Sequence, residues 1–262
     1  MRARTFMMAG ILVLFLFGQA ARFQGESAQR TPKTILAIGA HAGDMEISCG
    51  AVLARQARLG DKVFLLHLSL GEGGNPRLSP DAYGEQKRKE ALAAADKIGA
   101  KAIFGPYKDG EIPDSEQARR YVAEIIRQVK PEYLFAHWKN SLHKDHVVAH
   151  RLAVDAELLA ALPAVKTESP AFRGILGIYF AENWEDKEGF SPYVYIDVAA
   201  DLDRWESCVK QYEFIRGGIS SYPYFDYYWA LARVRGAESG LSDAVALDID
   251  PMGKKTILSA LP

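Results

Sequence analysis

The sequence predicts an α/β fold: a Rossmann-like, doubly wound, mostly parallel sheet with helices on both faces. Three observations predict it. Several short runs are apolar throughout, as strands buried on both faces are. Segments of helical period alternate with them, which is the β-α-β-α order of a parallel sheet. Histidines and acids gather where the strands end, and open α/β sheets place their sites outside the carboxyl ends of strands.

The elements follow in order. "KTILAIGA" (33–40) reads as a buried strand, and "MEISCGAVLARQARLG" (45–60) as one helix ending at Gly60, a common C-terminal stop. "DKVFLLHLS" (61–69) is the next strand, and 80–100 is a helix with an Ala-rich interior. "KAIFG" is a short strand. The helix over 114–130 starts at an Asp/Ser cap and stops before Pro131. "EYLFAH" (132–137) is a strand and 144–162 a helix. "GILGIYF" and "YVYIDV" are later strands, and "DLDRWESCVKQYEFIRG" is a late helix. The two close late strands and the aromatic run "SSYPYFDYYWA" leave room for an antiparallel edge.

The first 30 residues stand apart. Arg2 and Arg4 precede an uncharged apolar run too short for a comfortable membrane span, and the small residues "GQAA" follow. This is the layout of a secretory signal peptide, with an uncleaved N-terminal anchor as the alternative. The expectation is an exported, periplasmic or secreted protein with one domain over 31–262. The chain has 262 residues, 25% of them charged, and a net charge of −1. That balance gives no reason to expect nucleic acid, or a membrane beyond the leader, as a partner. Cys49 and Cys208 read as buried thiols rather than a disulfide.

Two clusters carry the chemistry. His41 and Asp44 sit where the first strand turns into its helix. "HWKNSLHKDHVVAH" opens as the strand 132–137 ends, and holds His137, His143, Asp145, His146 and His150. Parallel strands bring both clusters to one edge. Two imidazoles and one carboxylate with open positions suit catalytic zinc, and the same donor set holds non-haem Fe(II).

The motifs resemble those of the PIG-L/LmbE-like family of zinc-dependent N-deacetylases. That family's A-H-(P/A)-D-D-x-E stands here as Ala40-His41-Ala42-Gly43-Asp44-Met45-Glu46, and its H-x-D-H as His143-Lys144-Asp145-His146. "LSLGEGG" (68–74) is similar to its T-x-G-E-x-G turn, and Arg88–Glu90 to its R-x-E helix. The likeness runs from about residue 33 to about 250. It implies zinc (or Fe2+) held by His41, Asp44 and His146. It implies that His143 donates a proton or polarises the substrate carbonyl, and that Asp145 orients a histidine. The implied substrate is N-acetylglucosamine or a conjugate of it.

Two positions depart from the family pattern. Its general base falls on Gly43, which leaves Glu46, Glu72 and Asp145 as neighbouring acids. Val245 stands where the family's R-G-x-x-x-G-x-x-x-A-E-x-F segment, otherwise matched by Arg235, Gly236, Gly240 and Ala244, has Glu. Positioned acid–base groups are worth about 10²–10⁴ in rate. The alternative reading is therefore a non-catalytic zinc- and carbohydrate-binding protein on the same scaffold. Other residues take plainer readings. His67 is a satisfied core histidine, Arg88 and Glu90 a surface pair, and the aromatic run core or interface.

Overall fold

The computed structural model describes residues 30–185 and 188–254. The leader read over 1–30 lies, but for Arg30, outside the described residues. Seven strands form one sheet: β1 Thr34–Gly39, β2 Lys62–His67, β3 Ala100–Phe104, β4 Tyr133–His137, β5 Gly177–Ala181, β6 Val194–Asp197 and β7 Ala244–Ile249. Their order is β3-β2-β1-β4-β5-β7-β6. Neighbours from β3 to β5 run parallel, and β7 runs antiparallel to both β5 and β6. The strand order reverses between β1 and β4, so the crevice for a site opens at their carboxyl ends.

Side chains alternate across a strand, and both faces of this sheet are apolar. Ile35 and Ala37 of β1, with Val63, Leu65 and Phe135, pack under the helices α1 Asp44–Ser48, α2 Gly50–Arg58, α3 Pro80–Ile98, α6 Leu202–Val209 and α7 Tyr224–Ser239. Leu36 and Ile38, with Leu66 and Leu134, pack under α4 Glu116–Val129 and α5 Lys144–Ala161. Ser79 and Ser115 cap α3 and α4 by accepting the Ala82 and Ala118 amides, and Lys130 ends α4 in the left-handed region.

Three expectations change. The helix read over 45–60 is two, broken at Cys49. The cause is Trp205: its indole N–H donates to the carbonyls of Glu46 (3.0 Å) and Ile47 (3.3 Å), which the break frees. A Cβ on Gly50 would sit 3.1 Å from the same indole, so the break needs a residue without one. Gly50→Ala is expected to cost about 1–3 kcal/mol by overpacking; an unchanged denaturation midpoint would show that Trp205 has room to shift. The late helix ends at Val209, and the run 210–223 is irregular. The aromatic run becomes α7, because Tyr228, Ala232 and Gly236 recur every four residues and face the sheet. The antiparallel edge is built instead by β6 and β7, and Ala244–Ile249 was not legible as a strand inside its glycine-rich motif.

Candidate metal centre

The loop after β1 and the loop into α5 deliver the two histidine clusters to one place. Asp44 Oδ2 is its focus. It accepts the His41 backbone N–H at 2.7 Å and lies 3.3 Å from His41 Nδ1, 3.1 Å from His137 Nε2 and 3.5 Å from His146 Nε2. His137 Nε2 accepts the Ala40 N–H at 3.0 Å, so its lone pair is engaged. That leaves the ring nitrogens of His41 and His146 facing the Asp44 oxygen.

These separations test whether a cation fits. Zinc–ligand bonds of 2.0–2.2 Å in a tetrahedron set neighbouring ligand atoms about 3.4 Å apart. Two of the three edges, at 3.3 and 3.5 Å, match it. The groups whose donor atoms all lie within 4.8 Å of one another are His41–His143–His146, Asp44–His137–His146 and His41–Asp109–Asp145.

The far side of each ring is held. His41 Nε2 lies 3.1 Å from Asp109 Oδ1 and 3.4 Å from Asp145 Oδ2. A carboxylate behind a ligating imidazole fixes its tautomer and raises its basicity. Asp145, expected to orient a histidine, therefore stands behind His41, fully buried, with Oδ2 also accepting the Gly110 N–H at 2.7 Å. Asp109 does the same work and was missed in the sequence. It follows the C-terminal end of β3, the edge where sites form, but no histidine marks it. Its Oδ2 takes the Gly73 N–H, and Glu72 accepts the Asp109 N–H, so the "GEGG" turn holds this acid in place. His146 Nδ1 lies within 3.4 Å of Ser141 Oγ, Asn183 Nδ2 and Glu185 Oε1, which orient its ring. Asp109→Asn is expected to weaken metal binding by about 10–100-fold; unchanged affinity in a chelator competition would remove Asp109 from the site.

The electrostatics agree with this division. Burial pulls the His41 pKa down, but Asp44, Asp109 and Asp145 together overcome it and raise it well above the ordinary value. Burial, with His137 beside it, puts His146 well below. Burial and the neighbouring His41 also lower His143. Burial raises Asp44, but His146, His41 and His137 outweigh it and hold the carboxyl well below its usual range. Neutral His143 caps α5: its Nδ1 accepts the Asp145 N–H at 3.2 Å, so the ring proton sits on Nε2.

Two adjoining hollows, open to solvent, flank the focus. His41, Asp44, His143, Phe214 and Tyr224 line both. The carboxylates on their walls are Asp44, Asp109 and Glu185. The three acids that the sequence offered in place of Gly43 are not among them. Glu46 is fully buried, accepting the Tyr212 hydroxyl at 2.5 Å. Glu72 is spent on the Asp109 amide, and Asp145 stands behind His41. Gly43 itself is covered. It has φ 108°, and a Cβ there would lie 3.0 Å from Phe214 Cζ.

The remaining residues fall elsewhere. His137 is buried and stacked on His146, ring centres 4.1 Å apart, beside Asp44. His150 Nδ1 bonds to the His137 carbonyl at 2.8 Å, away from the focus. His67 is buried 3.5 Å from Glu46, but neither ring nitrogen has a hydrogen bond, so it is not the satisfied core histidine expected. Arg88 lies over the Phe104 ring and Glu90 accepts from Gln86 and the Glu213 amide, so the two do not pair. Val245 borders a separate apolar pocket beside Arg235, which grips Glu182 through two bonds of 2.8 and 2.5 Å. Cys49 and Cys208 are free buried thiols.

Comparison with known proteins places this geometry. Residues 36–157 match the model of the PIG-L family, GlcNAc-PI de-N-acetylase. A 4-oxalmesaconate hydratase of Pseudomonas putida is 24% identical over 216 residues, 79% of this chain and 81% of that one. A 1D-myo-inositol 2-acetamido-2-deoxy-alpha-D-glucopyranoside deacetylase of Streptomyces avermitilis is 31% identical over 52% of this chain. The match spans 56% of that deacetylase's length, about half. The N,N'-diacetylchitobiose deacetylase of Pyrococcus horikoshii shares the fold, with a TM-score of 0.74 at 20% identity, over 87% of this chain and 88% of that one. Both histidine motifs lie inside the matched residues, so the segment 36–157 that carries them is a PIG-L family domain.

Proposed function

We propose that this protein is a metal-dependent hydrolase that removes the acetyl group from an N-acetylated amino sugar or a conjugate of one. The observation that carries the reading is the gathering of His41, Asp44 and His146 in the wall of one hollow, with Asp44 Oδ2 3.3 Å from His41 Nδ1 and 3.5 Å from His146 Nε2, close to the spacing of ligands on a single cation. A divalent cation, zinc or Fe2+, held there supplies carbonyl polarisation and an activated water. The chain's own residues do the rest. His143, on the wall of the hollow with its ring proton on Nε2, polarises the acetyl oxygen. Asp109 and Asp145 hold the His41 ring, while Ser141, Asn183 and Glu185 hold His146. Water adds to the carbonyl carbon, the C–N bond breaks, and acetate and the free amine leave.

A second reading has its own support. The hydratase relative matches over four-fifths of its length, and the family's base position is Gly43 under Phe214. Addition of water to a carbon–carbon double bond uses the same cation and the same His143 proton. The test is amine release by the metal-loaded protein from N-acetylglucosamine, its short oligomers and simple glycosides. A parallel assay follows the absorbance of a conjugated enoate. Amine release supports deacetylation, and loss of the enoate absorbance alone replaces it. Binding of the sugars with neither reaction makes the protein a carbohydrate-binding member of the family.

A further inference from the structure

Lys87 is a part of the cavity wall to which amide hydrolysis assigns no work. It sits on α3 in line with Tyr83, Ala91, Ala94 and Ile98, the stripe that the helix turns inward. A lysine in that stripe is costly, because a buried charge needs a partner. Lys87 is only 4% exposed. Its Nζ donates to the Ala42 carbonyl and lies over two rings, 4.3 Å from the centre of Phe214 and 4.8 Å from that of Tyr212. No carboxylate comes within 4.0 Å of it among the described residues, and an ammonium has three protons to place. Burial pulls it down to about 8, with Asp44, Glu46, Glu90 and Asp109 restoring only part of the loss from a distance.

Its location gives the missing partner a place. Lys87 lines the same hollow as His41, Asp44 and His143. The rings beneath its ammonium are the rings nearest a side chain at Gly43, which would strike Phe214 at 3.0 Å and touch Tyr212 at 3.6 Å. The region where the family pattern puts a carboxylate is thus occupied by aromatic rings and a cation with donors to spare.

We propose that Lys87 anchors a carboxylate of the substrate, so that the hollow takes an N-acetylated compound that also carries a carboxylate. The proposal rests on the reading of this hollow as the substrate site. A charge-assisted hydrogen bond to a group taken out of water is worth about 1.5–3 kcal/mol, or about 10–100-fold in affinity. The cation at His41, Asp44 and His146 and the ammonium of Lys87 then hold the two ends of one ligand.

The experiment is calorimetric binding to the metal-loaded protein of three probes: neutral N-acetylglucosamine, N-acetylmuramic acid with its carboxylate on O3, and N-acetylglucosaminuronic acid with its carboxylate at C6. At least one acid is expected to bind about 10–100-fold more tightly than the neutral sugar. Lys87→Met is expected to abolish that preference with metal content unchanged, and Lys87→Arg to keep most of it. Equal or weaker binding of both acids by the natural protein overturns the proposal without any variant. So does a preference that survives in Lys87→Met. Amine release, followed in the same samples, separates the two claims. Turnover of the neutral sugar with no acid preference rejects the Lys87 assignment and keeps the hydrolase. Acid preference with no amine from any probe rejects the hydrolase and keeps the carboxylate site.

Discussion

His146→Ala is expected to weaken metal binding by more than about 100-fold, since loss of a group merely behind a ligand already costs 10–100-fold. The same change is expected to abolish the metal-dependent reaction. His146 Nε2 faces Asp44 Oδ2 at 3.5 Å, and the nitrogen behind it is held by three side chains. His41→Ala is expected to behave alike. His137→Ala is the contrast, because its Nε2 is committed to the Ala40 amide. It is expected to lose stability, by releasing a buried N–H, while keeping a metal site. Metal content after dialysis against a weak chelator checks all three. Full occupancy in His146→Ala would reject the ligand set, and an empty His137→Ala protein with an intact fold would move His137 into it.

Gly43→Asp is the second. The family pattern makes it the obvious repair, and the structure argues against it. The backbone at 43 has φ 108°, which an L side chain rarely adopts, and the new Cβ would lie 3.0 and 3.2 Å from two carbons of Phe214. Strained backbone costs about 1–3 kcal/mol and overpacking about as much again. For a domain of this size the melting temperature is expected to fall by about 5–15 °C. No gain in amine release is expected, because the carboxylate has no room to reach the Asp44 focus. Gly43→Asp with Phe214→Ala removes the clash but not the backbone strain, and is expected to recover part of the stability. A tenfold rise in turnover by Gly43→Asp alone would show that Phe214 swings aside and that the position still accepts a base.

Much of this protein was legible before its fold. The βα alternation, the parallel strands buried on both faces, and the two histidine motifs at strand ends are local patterns. A period of two or 3.6 residues, a capping serine and a histidine beside a strand end report on their neighbours in the chain, so a linear reading finds them. His41, Asp44, His143, Asp145 and His146 were nameable for that reason, and the structure does bring them together. Where the linear reading failed, a partner distant in sequence had intervened. The helix over 45–60 breaks because Trp205 takes its carbonyls. The aromatic run turns helical because the sheet offers it a face. Glu46 is lost as a base because Tyr212 binds it inside the core.

The sequence by itself determined the fold class, the edge of the sheet where the site lies, and the histidines and acids that gather there. Only the tertiary structure decided what surrounds them. Asp109, from the loop after the third strand, stands behind His41. Phe214, far along the chain, covers Gly43 and turns a missing residue into a filled space. Lys87, an ordinary letter in a charged helix, proves to be buried and short of a partner. These assignments depend on which loops pack over the carboxyl ends of β1 and β4, and contacts of that kind leave no periodicity in the chain for a sequence to display.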